Sequence, residues 1–176
     1  MNIVVVEDVP MVRERIVDVL LELSGVFVIG EADSVATALV SIESNQPDVV
    51  LLDMSLPGTS RIANGIGVLK WIKQAHPAIY VVMLTNHASH AYREACEAAS
   101  AFAFLDKSYE FDKLPDVIAR LHKDLTSRPK SQSIPVQSVN QTHAGNQFID
   151  QNDQISSAHS KLVALRAVDT LYAGYF

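Results

Sequence analysis

Between residues 1 and 127, five short apolar runs at 3–6, 26–29, 49–52, 79–84 and 101–105 alternate with five stretches of helical spacing. The runs are continuous rather than alternating, as in strands covered on both faces. The stripes between and after them are Val12, Ile16, Val19, Leu20 and Leu23; Ala38, Leu39 and Ile42; Leu69 and Ile72 behind Gly65 and Gly67; Tyr92, Ala95, Cys96 and Ala99; and Leu114, Val117, Ile118, Leu121 and Leu125. Pro10 is tolerated in the first turn of the first helix, and Asp33 or Ser34 is the expected N-cap of the second. Strand and helix alternating five times specify a parallel sheet with helices packed on it, an α/β fold.

The remainder of the chain follows different rules. Residues 128–155 carry two prolines, many polar side chains and almost no periodic apolar signal, so a disordered polar linker is expected there. Within 156–176, Leu162, Leu165, Val168, Leu171 and Tyr175 recur every three or four residues, enough for one short amphipathic helix that is marginal without a partner. Charge divides at the same place. Residues 1–127 hold 10 Lys and Arg against 17 Asp and Glu, while 128–176 hold 4 against 3. The acidic first part argues against a nucleic-acid surface. Cys96 is the single cysteine, the N-terminus carries no basic leader, and the apolar runs are too short for a bilayer, so a cytoplasmic protein without membrane contact is expected.

In an open parallel sheet the active crevice lies beyond the carboxyl ends of the strands. Glu7 and Asp8 follow the first run, Asp53 the third, Thr85 the fourth and Lys107 the fifth. Three carboxylates, a hydroxyl and an ammonium are therefore expected on one rim. Clustered carboxylates raise one another's pKa unless a cation sits among them. A hard ion such as Mg²⁺ takes one or two carboxylates together with waters and phosphate oxygens. Asp53 is then a nucleophile competent to form an acyl phosphate, with the metal, Lys107 and the Thr85 hydroxyl meeting the phosphoryl oxygens. Each residue alone also has a plainer reading. Asp8 could cap the first helix, with Glu7 and Asp53 as surface acids, Thr85 as a helix cap, Lys107 as a surface charge and Phe104 as plain core. His87 and His90 lack a third soft ligand, and Cys96 and Trp71 read as packed side chains.

In chain order, Glu7-Asp8, the stretch Asp53-Met54-Ser55-Leu56-Pro57-Gly58, Thr85 and Lys107 resemble the receiver domain of bacterial two-component response regulators, across residues 1–125. The resemblance implies a flavodoxin-like fold, a three-layer (βα)5 doubly wound sheet of five parallel strands in the order 2-1-3-4-5. It implies a signalling phosphoacceptor, in which Asp53 takes a phosphoryl group from a sensor histidine kinase or histidine phosphotransfer protein, assisted by Thr85 and Lys107. Asp8, Asp53 and the Ser55 main-chain carbonyl would hold Mg²⁺ (or Mn²⁺), and Glu7 would act mostly through a bound water. Phe104, three residues before Lys107, stands where the family keeps a rotating switch aromatic that works with Thr85. Four departures stand out. Glu7 replaces the commoner Asp, Asn86 follows Thr85 where a very small residue is usual, and Ser108 replaces a frequent, usually cis proline. The six residues 59–64 between Gly58 and Gly65 lengthen the loop beside Asp53.

The expected output is contact with an unknown downstream protein, through a phosphorylation-biased surface around 92–99, 101–105 and 112–125. A homodimer is compatible with this, and direct DNA binding is not expected. Two other readings stay open. One is a transcription factor with a divergent or truncated output domain, whose DNA binding would fall steeply with salt. The other is a pseudo-receiver scaffold that is never phosphorylated. A flavin carrier on the same fold is disfavoured, because the loop Glu7-Asp8-Val9-Pro10 would repel a flavin phosphate.

Overall fold

The structure is a computed structural model and describes residues 1–59, 61–86 and 88–127. The expectations for 128–155, for 156–176 and for His87 lie outside the described residues. The elements run β1 (Asn2–Val6), α1 (Pro10–Leu21), β2 (Phe27–Ala32), α2 (Val35–Asn45), β3 (Val49–Asp53), α3 (Gly65–Ala75), β4 (Tyr80–Thr85), α4 (His90–Ala98), β5 (Ala103–Asp106), a 3-10 turn (Phe111–Lys113) and α5 (Leu114–Ser127). The sheet is parallel, in the order β2-β1-β3-β4-β5. Ile3, Val5, Leu51, Val82 and Leu84 pack with Ile16 and Leu20 of α1 and with Leu114, Ile118 and Leu121 of α5 in one buried cluster. No described helix is long and apolar enough to cross a membrane.

Local chemistry sets most boundaries. Pro10 opens α1, where its missing N–H is not needed. Of the two candidate caps for α2, Ser34 takes the position: its hydroxyl accepts from the Thr37 N–H, and the Thr37 side chain answers the Ser34 N–H. Asn64 caps α3 through the Gly67 N–H. Gly65 then permits a close approach. A Cβ there would lie 2.0 Å from the Asp53 carbonyl oxygen, so α3 can start against the end of β3 only without a side chain.

Two elements differ most from expectation, while β5 spans Ala103–Asp106 rather than 101–105. β2 begins at Phe27 and extends to Ala32 instead of spanning 26–29. It is an edge strand, so Phe27 and Glu31 meet solvent, and the extension rests on pairing of Val5 with Glu31 and Val6 with Ala32. The expected apolar face of α4 is also thinner than its spacing suggested. Cys96 is buried, Ala95 and Ala99 are half-buried, and Tyr92 is 44% exposed. This helix meets the sheet through few large side chains.

Candidate functional site

The strand register brings the chemistry to one rim. Val6 pairs with Leu52, Asp53 with Leu84, and Thr85 with Asp106. Glu7 and Asp8 leave the end of β1, Asp53 and Thr85 close β3 and β4, and Lys107 follows β5. Main-chain bonds fix these ends: Glu7 N–H to the Ala32 carbonyl at 2.9 Å, Met54 N–H to that of Leu84 at 3.2 Å, and Lys107 N–H to that of Thr85 at 2.8 Å.

The plainer readings of Asp8, Glu7, Asp53, Thr85 and Lys107 do not hold. The N-cap of α1 is Val9, with no side-chain cap bond, so Asp8 is not a helix cap. Glu7 and Asp53 are buried acids, not solvated ones, and Thr85 is buried while Ser89 caps α4. Lys107 is not a surface charge either, because its side chain is only 5% exposed. Phe104 is buried, so its reading as core is correct as far as packing goes. The Lys107–Ser108 bond is trans, as are all described peptide bonds.

Lys107 is the centre of the site. Its Nζ donates to Glu7 Oε2 and, at 2.7 Å, to Asp53 Oδ1. The other Asp53 oxygen, Oδ2, accepts from the Ser55 N–H at 2.9 Å. Burial pushes the Glu7 carboxyl above its usual pKa, and the Lys107 hydrogen bond and charge oppose that shift without cancelling it. Asp106 shapes the approach of Lys107, since its Oδ1 accepts from the Ser108 N–H at 2.7 Å and turns the chain immediately after β5.

Glu7, Asp8 and Asp53 each offer one carboxylate oxygen, and these atoms lie within 4.8 Å of one another. No other such cluster occurs among the described residues. The donor set is all oxygen, with neither sulfur nor imidazole, and so fits a hard divalent cation such as Mg²⁺ or Mn²⁺. His90 is exposed and pairs with Glu94, not with this cluster.

Within the inserted stretch between Gly58 and Gly65, Thr59 and Ile62 are bonded to each other. Thr59 N–H donates to the Ile62 carbonyl at 2.7 Å, and the Thr59 hydroxyl accepts from the Ile62 N–H at 3.0 Å. Ile62 is buried over Gly67, where an added Cβ would lie 2.6 Å from Ile62 Cγ2.

Sequence reasoning missed three residues near the site. Arg13 donates from Nη1 to the Glu7 main-chain oxygen at 2.7 Å and from Nε to Glu31 Oε2 at 3.1 Å. Arg93 lies over the Phe104 ring, 4.7 Å from its centroid, and donates to the Phe104 carbonyl at 3.0 Å and to Glu110 Oε2 at 3.1 Å. Hydrogen bonds from Lys113, the Asp106 N–H and Arg93 hold the Glu110 carboxyl down to about 2. Arg13 had a local signal, standing on the polar side of the first stripe one turn past Glu7-Asp8. The Arg93–Glu110 pair joins residues of different elements and had none.

Residues 3–119 match the response regulator receiver domain family. The sensory transduction protein LytT of Enterococcus faecalis is 27% identical over 146 residues, covering 78% of this chain and 58% of LytT. The response regulator UvrY of Escherichia coli is 31% identical over 106 residues, covering 60% of this chain and 47% of UvrY. The chain thus spans about half the length of these relatives. Among solved structures, a LuxR-family DNA-binding response regulator from Staphylococcus aureus matches with a TM-score of 0.62 and 25% identity, over 68% of this chain and 97% of that one. RcsB from Salmonella enterica serovar Typhimurium, bound to promoter rprA in the presence of a phosphomimetic, matches with a TM-score of 0.65 and 26% identity, over 70% of this chain and 60% of that one.

Proposed function

The chain belongs to the receiver-domain family of two-component response regulators, and from that premise we propose that it is a phosphoacceptor whose reactive group is Asp53. The supporting observation is the buried Lys107 ammonium bonded to Glu7 and Asp53 within a tight group of carboxylates. Such a rim favours an incoming dianion only if its acids are already neutralised, and Lys107 supplies part of that neutralisation.

In the transfer, an Asp53 carboxylate oxygen forms a bond to phosphorus as the phosphorus–nitrogen bond of the donor phosphohistidine breaks, and the imidazole recovers its proton. Lys107 is close enough to Asp53 to follow the charge onto the phosphoryl oxygens. Thr85, buried at the end of the neighbouring strand, supplies a hydroxyl. Glu7, Asp8, Asp53 and the Ser55 main-chain carbonyl would hold Mg²⁺ (or Mn²⁺), which when bound neutralises the remaining phosphoryl charge. The chain catalyses only its own phosphorylation and dephosphorylation. Donors are a sensor histidine kinase or a histidine phosphotransfer protein in the cytoplasm. Phe104 carries the change outward to α4 and α5, where a downstream protein or a second copy reads it.

A DNA-binding output is the second reading, favoured by the likeness to a DNA-binding regulator and to RcsB on a promoter. Steeply salt-dependent binding of the full chain to DNA would support it. The primary reading is tested by incubating the chain with Mg²⁺ and acetyl phosphate and measuring intact mass. One phosphoryl adduct is expected, absent from Asp53→Asn and from samples without Mg²⁺. A folded wild-type chain that takes no adduct would instead be a pseudo-receiver.

A further inference from the structure

Arg13 stands on α1 but points back across the turn that carries Glu7 and Asp8. Its main-chain N–H bonds the Val9 carbonyl at 3.0 Å, its Nη1 the Glu7 carbonyl at 2.7 Å, and its Nε the Glu31 carboxylate at 3.1 Å. The side chain is 21% exposed. One guanidinium therefore ties together the end of β1, the start of α1 and the edge strand β2. The carbonyl it holds belongs to the Glu7–Asp8 peptide, a planar unit, so the guanidinium fixes the backbone plane from which Asp8 departs. Asp8 receives no support from a helix-cap bond.

We propose that Arg13 is a positioning residue for divalent-cation binding: by holding the Glu7 carbonyl against Glu31 it aims the Asp8 carboxylate into the Glu7–Asp8–Asp53 cluster. The inference rests on reading that cluster as a metal site. Groups that orient metal ligands through hydrogen bonds typically cost 10–100-fold in affinity when removed. Charge alone predicts the opposite sign, since losing a cation beside an acidic site tightens binding of Mg²⁺. Glu31 is 52% exposed and its ion pair with Arg13 contributes little to stability, so the variants are expected to fold.

The experiment is calorimetric titration of the full chain with Mg²⁺, with the melting temperature of each variant measured alongside. Arg13→Gln is expected to weaken Mg²⁺ about tenfold or more. Arg13→Lys should recover part of the loss, because an ammonium reaches one of the two partners and lacks the fork. Glu31→Gln should weaken Mg²⁺ in the wild type and change little in the Arg13→Gln background, because Glu31 acts through Arg13. An Arg13→Gln chain with unchanged or tighter Mg²⁺ affinity overturns the inference alone, even if its melting temperature falls. A folded wild-type chain that binds no Mg²⁺ overturns the metal-site reading and the inference with it.

Discussion

Replacing Lys107 by Met removes the counter-charge of two buried carboxylates while keeping most of the side-chain volume. The Lys107 side chain is 5% exposed and those of Glu7 and Asp53 are 1% and 4% exposed, so water can replace little of what is lost. Breaking one partner out of a buried ion pair costs about 3–5 kcal/mol. In a domain of this size that lowers the melting temperature by roughly 10–20 °C. The loss depends on pH in a defined direction. The Glu7 pKa lies above its ordinary 4.5 in the folded chain, so the native state binds this proton more tightly than the unfolded state does. Stability therefore falls as pH rises from 4.5 toward the folded value. Lys107 opposes that rise in pKa, and without it the window extends further upward. The deficit of Lys107→Met against wild type should be largest at neutral pH and shrink as pH falls toward 4.5. Excess Mg²⁺ should restore more stability to the variant than to the wild type, because no ammonium competes for the carboxylates. Thermal unfolding across pH, with and without Mg²⁺, reads all of this. A variant within about 0.5 kcal/mol of wild type at pH 7 would refute Lys107 as the buried counter-charge.

Three further substitutions test parts of the rim. Gly65→Ala drives a methyl group to 2.0 Å from the Asp53 carbonyl oxygen. It should cost at least ~1–3 kcal/mol by denaturant unfolding and slow phosphorylation by acetyl phosphate, and equal stability would contradict the close approach. Arg93→Met removes the stacking on Phe104 and two hydrogen bonds at a side chain that is 40% exposed, for about 1–2 kcal/mol. Hydrogen exchange in α4 should rise, and unchanged protection there would show that Arg93 does not tether the helix. Ile62→Ala empties the contact over Gly67 and should cost about 2 kcal/mol, the low end for a buried Ile at a surface loop, as measured by chemical unfolding. A neutral result would mean that the inserted stretch does not pack.

Much of this architecture is legible in the sequence because it is written in local patterns. β1, β3 and β4 read as unbroken apolar runs since these central strands are buried on both faces of the sheet, and α5 keeps its Leu114, Val117, Ile118 and Leu121 stripe buried. The rim residues follow from topology alone, as parallel strands deliver their last residues to the same edge. What stays hidden depends on pairs of distant elements. β2 extends through Gly30 and Glu31 because β1 pairs with it, which no apolar signal marks. Topology puts Glu7 and Lys107 on one rim, but the burial of Glu7 and its direct bond to an ammonium a hundred residues away carry no local signal. Arg13 and Arg93 act through main-chain carbonyls, and a carbonyl leaves no trace in side-chain pattern. Tyr92 has the spacing of a core residue, yet α4 sits too shallowly to bury it.

The proposed acceptor of the phosphoryl group is Asp53, through a carboxylate oxygen. Borohydride reduction of the acetyl-phosphate-treated chain converts an aspartyl phosphate to homoserine, and tandem mass spectrometry of the peptides locates the converted residue. Homoserine at position 53 is expected, and only when Mg²⁺ was present. Conversion at another carboxylate, or none in a chain shown to be folded and Mg²⁺-loaded, would contradict the assignment.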